Sequence, residues 1–370
     1  MTLTLSAEQQ ELGRTVADFL AKRSPEAEVR RLMEDGGAPD PAVWSQTANQ
    51  LGLQGLIIPE AFGGAGFGYS ELVVVLERTG AALLVAPFLS SALATAALLS
   101  TSHATLKSEY LPELSSGARV GTLALAEHTG RWDVDSVCTT ARAGAEGFTV
   151  TGAKCYVVDG HLADFFIVSA RSQDGVGLFV VDADSSHVTV TRLKALDATR
   201  PLARVDFDGA AARPLSAAVD DGTALRHLLD VAAVTLGAEQ VGGAQRCLDM
   251  AVEYAKVRVQ FGRPIGSFQA IKHKCADVLL AVESARSAVY YAAGVLDDGG
   301  EDAAMSSALV QAQCSAAYTL AAGENIQIHG GIGFTWEHPA QLYFKRAKSS
   351  ELLFGDAATH RERIARLVGI

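Results

Sequence analysis

Apolar residues recur along this chain with two different periods. Over residues 1–118 the spacing is helical. Leu12, Val16, Phe19 and Leu20 share one face behind Ser6, a helix-capping residue type, with Glu8 and Gln9 in the opening turn. Trp44, Leu51 and Leu53 predict another helix, and residues 70–79 and 90–99 two more. From about Arg119 the runs become short and β-branched: 120–126, 147–152, 155–158, 165–170, 176–181, 188–193 and 203–207. Gly152, Asp159-Gly160 and Asp208-Gly209 punctuate them. Helical spacing then returns over 221–256, 268–296, 302–327, around 340–348 and over 357–367, with a break at Asp297-Asp298-Gly299-Gly300. The expectation is an α+β chain of three domains: helices over 1–118, a β barrel or sandwich over 119–213, and a helical bundle over 214–370.

Composition narrows the function classes. At 370 residues and 49% hydrophobic content, the chain has ample material for a core. A net charge of −11 argues against nucleic-acid and anionic-membrane partners. No apolar run reaches transmembrane length; residues 92–99 are apolar but short and suit a buried helix. Residues 1–6 are neither basic nor followed by a signal-type core, so the cytoplasm is the expected location. The five cysteines have no paired or Cys/His spacing, and no metal is expected.

One stretch, YAKVRVQFGRPIGSFQ at 254–269, carries residues that core packing does not explain: Arg258, Gln260, Phe261, Gly262, Pro264 and Gln269. Pro264 should end a helix at about Arg263, and Gly262 and Gly266 flank it, which predicts a short turn between two helices. A guanidinium, a ring and two amides gathered there suit a planar, phosphate-bearing ligand. Spacing alone equally allows a helical hairpin with an arginine C-cap. The glycine-rich loop Gly63-Gly64-Ala65-Gly66 lacks a P-loop lysine and a leading strand, so a phosphate role is not expected there.

RVQFGRPIGSFQ resembles the FAD-binding segment of the acyl-CoA dehydrogenase family. A second family segment follows about sixty residues on, QIHGGIGF at 327–334 with Glu337 and Pro339. IPEAFGGAGFG at 58–68 extends the likeness over nearly the whole chain. The resemblance implies helices, a β domain and a helical bundle, in that order. It implies FAD as cofactor and an acyl-CoA thioester as substrate. The flavin takes a hydride from Cβ, a glutamate takes the Cα proton, and a separate acceptor receives the electrons. It also implies an FAD site shared between subunits. Arg258, Gln260, Phe261, Phe268 and Gln269 match one donor element for the neighbour's ADP half; Gln327, Gly330 and Gly331 match the other. Without the resemblance, Gly330-Gly331 also reads as a C-cap after Ile328.

The rest of the family's site is altered. The Glu-Gly-Thr run that carries the usual base aligns with Phe354-Gly355-Asp356. The base position that some members use instead aligns with Ala232, and a substrate-contacting arginine with Ala233. Asp230 matches an acidic residue near the acyl-CoA, although an Asp near a helix start has other uses. The family's Thr-Glu-Pro-x-Ala-Gly-Ser-Asp becomes AEHTGRWD at 126–133, and its Trp-Ile-Thr becomes Tyr156-Val157-Val158, which removes the flavin-bonding hydroxyl. Glu239, two helical turns after Ala232, is the nearest carboxylate on that face and the candidate base. Glu127 matches a family residue of structural or substrate-entry role; His329, Glu351, Asp356 and His360 read as structural. Elements offered to a neighbour's nucleotide survive, while those of the chain's own chemistry are lost. The chain thus resembles the base-lacking, β-type subunit of actinobacterial α2β2 acyl-CoA dehydrogenases of steroid side-chain oxidation. A self-sufficient homotetramer using Glu239 and a non-catalytic assembly subunit are the competing readings.

Overall fold

The computed structural model describes residues 5–144, 147–215 and 221–370. The helix expected from 221 starts at Thr223. The chain divides into two compact units, Met1–Arg31 with Tyr69–Leu84 and Ala233–Ile370, and Leu32–Gly68 with Val85–Ala232.

Among the described residues six α-helices precede the first strand: α1 (Ala7–Arg23), α2 (Glu26–Glu34), α3 (Pro41–Asn49), α4 (Tyr69–Ala81), α5 (Phe88–Ser100) and α6 (Ala104–Ser115). Ser6 and Gln9 form a reciprocal capping box at α1. Asp40 caps α3, with Pro41 in the first turn. Leu51 and Leu53 lie beyond that helix, which stops at Asn49. Two helices escape the apolar pattern. In α2 the surface charges Glu26, Glu28, Arg30 and Arg31 pair along the helix and outnumber its apolar positions. In α6, Pro112 interrupts a helix that sequence reasoning would end.

The β unit has strands β1 (Gly121–Ala124), β2 (Thr140–Gly144), β3 (Gly147–Val158), β4 (Phe165–Ser172), β5 (Gly175–Asp182), β6 (Val188–Arg192) and β7 (Leu202–Pro214). Their order is β1-β4-β2-β3-β7-β5, and β5 pairs back onto β4, closing a barrel; β6 pairs with β7. Val150, Val157, Phe166, Val168, Phe179, Val205 and Phe207 fill it. The two runs predicted around Gly152 are one strand, and β7 runs through Asp208-Gly209. Gly152 pairs in register with Phe207, close against Thr139, while Gly209 serves a bulge. Val150 pairs with Ala210 and Thr151 with Asp208, which leaves Gly209 at φ +69° outside the ladder. β2 was not foreseen because its exposed half, Arg142 to Gly144, carries no apolar alternation.

The C-terminal helices are α7 (Thr223–Val257), α8 (Gln269–Asp297), α9 (Ala303–His329), α10 (Ala340–Leu352) and α11 (Ala357–Leu367). Glycines set how closely they pack. A Cβ on Gly80 of α4 would overlap the main chain of Glu239 on α7, and one on Gly242 would overlap that of Glu77. Gly237 and Gly243 face Val310 and Tyr318 of α9 in the same way. Asp297 accepts hydrogen bonds from the backbone of Tyr69 and Ser70, capping α4 from the end of α8. No helix among the described residues is long and apolar enough to cross a membrane.

Candidate functional site

The arginine turn is a β-hairpin, not a helical turn. Helix α7 ends at Val257, six residues short of Arg263, and β8 (Val259–Gln260) pairs with β9 (Arg263–Pro264). Phe261 and Gly262 form the two-residue tip with φ of +52° and +76°. Positive φ at both positions is the type I′ requirement, which a proline-centred reading of the sequence passes over. The left-handed conformation is costly for a bulky residue, yet Phe261 is 91% exposed. Arg258 and Gln260 are exposed beside it. The Arg258 carbonyl accepts from Ile265 N at 2.8 Å, which closes the hairpin base. Arg263 lies over the Phe268 ring at 4.1 Å, and Gln269 opens α8.

The second motif is the C-terminus of α9. Gln327 is exposed, Ile328 and His329 are buried, and Gly330 turns the chain at φ +65°, ψ −138°, a conformation nearly confined to glycine. A Cβ on Gly330 or Gly331 would meet nothing within 4 Å. The two motifs share one end of the bundle. Tyr254 stacks on His329 with ring centroids 4.3 Å apart. Ala251, Ala255 and Ile328 pack with Tyr254, Ile265, Ile271 and Cys275 beneath them.

The candidate acid–base residues are placed as follows. Phe354 is buried at φ +60° in a tight turn followed by Gly355 at φ +103°. Gln311 Nε2 donates to the Leu353 carbonyl at 3.1 Å, and His360 Nε2 to that of Phe354 at 3.0 Å. Asp356 caps α11 through Thr359 N, and Glu351 pairs with Lys348. Glu239 is buried at the α4–α7 crossing, where Thr79 Oγ1 donates to it at 3.5 Å. Asp230, Ala232 and Ala233 are buried along α7.

In the barrel, Glu127 is committed to structure. Its Oε1 accepts from Cys138 N, Thr139 N and Thr139 Oγ1 at 2.7–2.9 Å and from Lys154 Nζ at 3.1 Å. Lys154 is fully buried and also donates to the Leu125 carbonyl and Ser169 Oγ. Burial pushes its ammonium down to about 8, against the pull of Glu127. Burial alone would raise the Glu127 carboxyl, but the donors hold it below its usual range. Sequence reading missed Lys154; its one signal is a lysine at a position where β3 turns inward beside buried Cys155. Tyr156 stands at φ +59° on a bulge, facing Gly130, and Val158 is buried. Arg131 pairs with Asp133 in the loop opposite.

Comparison with known proteins decides the family. Models of the acyl-CoA dehydrogenase N-terminal, middle and C-terminal domains match residues 6–118, 122–210 and 221–369. The acyl-CoA dehydrogenase IpdE2 of Mycolicibacterium smegmatis is 39% identical over 364 residues, 98% of each chain. The chain belongs to the acyl-CoA dehydrogenase family. Among solved structures, the ChsE4-ChsE5 complex from Mycobacterium tuberculosis is 30% identical with a TM-score of 0.90, covering 100% of both chains. A variant of the Tcur3481-Tcur3483 steroid ACAD is 29% identical with a TM-score of 0.91, covering 99% of this chain and 98% of that one.

Acyl-CoA dehydrogenases are FAD-dependent oxidoreductases acting on acyl-CoA thioesters. The hairpin and the α9 terminus fit a nucleotide chemically. An exposed guanidinium, exposed amides and a presented ring surround main chain whose glycines leave open space where a Cβ would stand. In the barrel, Val158 has no hydroxyl to offer a flavin ring.

Proposed function

We propose that this chain is the base-lacking subunit of a heteromeric acyl-CoA dehydrogenase, with domains over 1–118, 119–213 and 214–370. Its exposed Arg258, Gln260, Phe261, Gln269, Gln327 and Gly330-Gly331 would complete the FAD site of a homologous subunit that carries the catalytic glutamate. Bound FAD supplies hydride acceptance from Cβ of the acyl thioester. This chain's contribution is to grip pyrophosphate with the Arg258 guanidinium and to bring the Gly330-Gly331 main chain close to it. The observation that carries the reading is Phe354: the turn at the usual base position is fully formed, and an apolar ring occupies it.

The relatives support the same reading. One structural neighbour is a complex of two different chains, and another is named a steroid ACAD. A bulky steroid side-chain acyl-CoA is accordingly the proposed substrate class, and a cytoplasmic electron-transfer protein the proposed acceptor. Co-expression with a family member bearing the glutamate tests the assignment. The expected result is a stable hetero-oligomer holding fewer flavins than chains, active only when both are present. A pure preparation of this chain that is fully flavin-loaded and rapidly oxidises an acyl-CoA would overturn it. Loss of a general base costs about 10²–10⁴-fold in rate, so the two outcomes are well separated.

A further inference from the structure

The two nucleotide-facing elements are joined by a column of three rings. Tyr254 lies one turn before Arg258, whose N–H donates to the Tyr254 carbonyl at 2.9 Å. His329 immediately precedes Gly330. The Tyr254 and His329 rings stack at 4.3 Å and 28°, and the His338 ring packs against His329 at 4.2 Å, tilted by 45°. Hydrogen bonds fix both imidazoles. His329 Nδ1 donates to the Asn325 carbonyl at 2.8 Å, and His338 Nδ1 accepts from Ala340 N at 3.2 Å, so its neutral form carries the proton on Nε2.

We propose that His329 and His338 are positioning residues that hold the Arg258 hairpin and the Gly330-Gly331 turn in register only while both rings are neutral. Imidazoles 4.2 Å apart repel once both are charged, and His329 is buried while His338 is half-buried. The surrounding groups give an imidazolium little net support. Cys275 on α8 is kept a thiol by burial, and Glu26 and Arg30 on α2 pair with each other at 2.7 Å. Burial lowers the basicity of both histidines, and for His338 the neighbouring His329 and Arg30 lower it further against Glu26. The unfolded chain therefore binds protons first as pH falls through about 6.5, so acid weakens the joint.

This inference rests on the FAD reading above only for its ligand; the joint itself can be measured without flavin. Hydrogen–deuterium exchange of the full chain, corrected for intrinsic rates, is compared at pH 7.5 and 5.5. Peptides covering 254–268 and 327–338 are expected to lose protection together, at least tenfold, at pH 5.5. In His329→Phe and His338→Phe, which keep a ring but cannot titrate, the acid-induced loss should shrink to less than about twofold. Flavin release from the complex, followed by fluorescence, should accelerate over the same pH range and flatten in the same variants. Unchanged protection in the wild type, or an acid-induced loss in both phenylalanine variants as large as that of the wild type, overturns the proposal. A pH-dependent joint with flavin release that ignores it upholds the joint and sinks the nucleotide assignment of the hairpin.

Discussion

Gly80 of α4 lies directly against the main chain of Glu239 on α7, with no room for a Cβ between them. The contact holds Glu239 at a helix crossing, its carboxylate beside Thr79. Glu239→Gln should leave turnover of the hetero-oligomer within about twofold of wild type, measured by dye-coupled acyl-CoA oxidation. A drop of about 10²-fold or more at constant flavin content would instead make Glu239 the base.

The same crossing predicts a stability effect of unusual sign. Gly→Ala inside a helix ordinarily stabilises by about 1 kcal/mol. At Gly80 or Gly242 the added methyl overlaps backbone, so Gly80→Ala and Gly242→Ala should destabilise by about 1–3 kcal/mol in urea titrations.

Arg258 is exposed, so its replacement should separate binding from folding. Arg258→Met in the complex is expected to lower FAD affinity by about 10-fold or more, the scale of a lost charge-assisted contact. The melting temperature of the chain alone should stay within about 1 °C. Unchanged flavin occupancy would favour a purely assembly-directed subunit.

Phe261 pays a conformational cost at the hairpin tip. Phe261→Gly should stabilise the free chain by up to about 1 kcal/mol in thermal unfolding, because the left-handed strain of a bulky residue is relieved. Flavin occupancy of the complex should fall at the same time.

Lys154 makes stability depend on alkaline pH. Its ammonium titrates near 8 in the folded protein against 10.5 as the reference. Between those values the unfolded chain holds the extra proton, so this group's contribution favours folding more as pH rises through that window. Raised tyrosine and cysteine groups oppose it, among them Tyr69, which burial pushes up to about 12. The difference between wild type and Lys154→Met in urea midpoints from pH 8 to 10 isolates the term. A difference that does not change over that range would show that Lys154 is charged throughout.

Much of the architecture was legible because long helices and a β-branched middle segment advertise their periods. What stayed hidden had local physical causes. The α2 charges masked a helix, Gly152 and Gly209 read as breaks although both lie within strands, and Pro264 suggested a helix end where a Phe-Gly hairpin intervenes. The candidate nucleotide elements were visible as motifs, but Tyr254 and His329 stack across 75 residues of sequence, and no spacing rule links them. Lys154 was equally silent, since its partners Leu125, Glu127 and Ser169 come from two other segments.

The turn around Phe354 is secured through main-chain oxygens, by Gln311 at residue 353 and His360 at residue 354. Such anchoring is indifferent to which side chain the turn carries. Evolution could therefore exchange the residue there without unmaking the loop, and the scaffold would stay intact whichever side chain stood at this one spot.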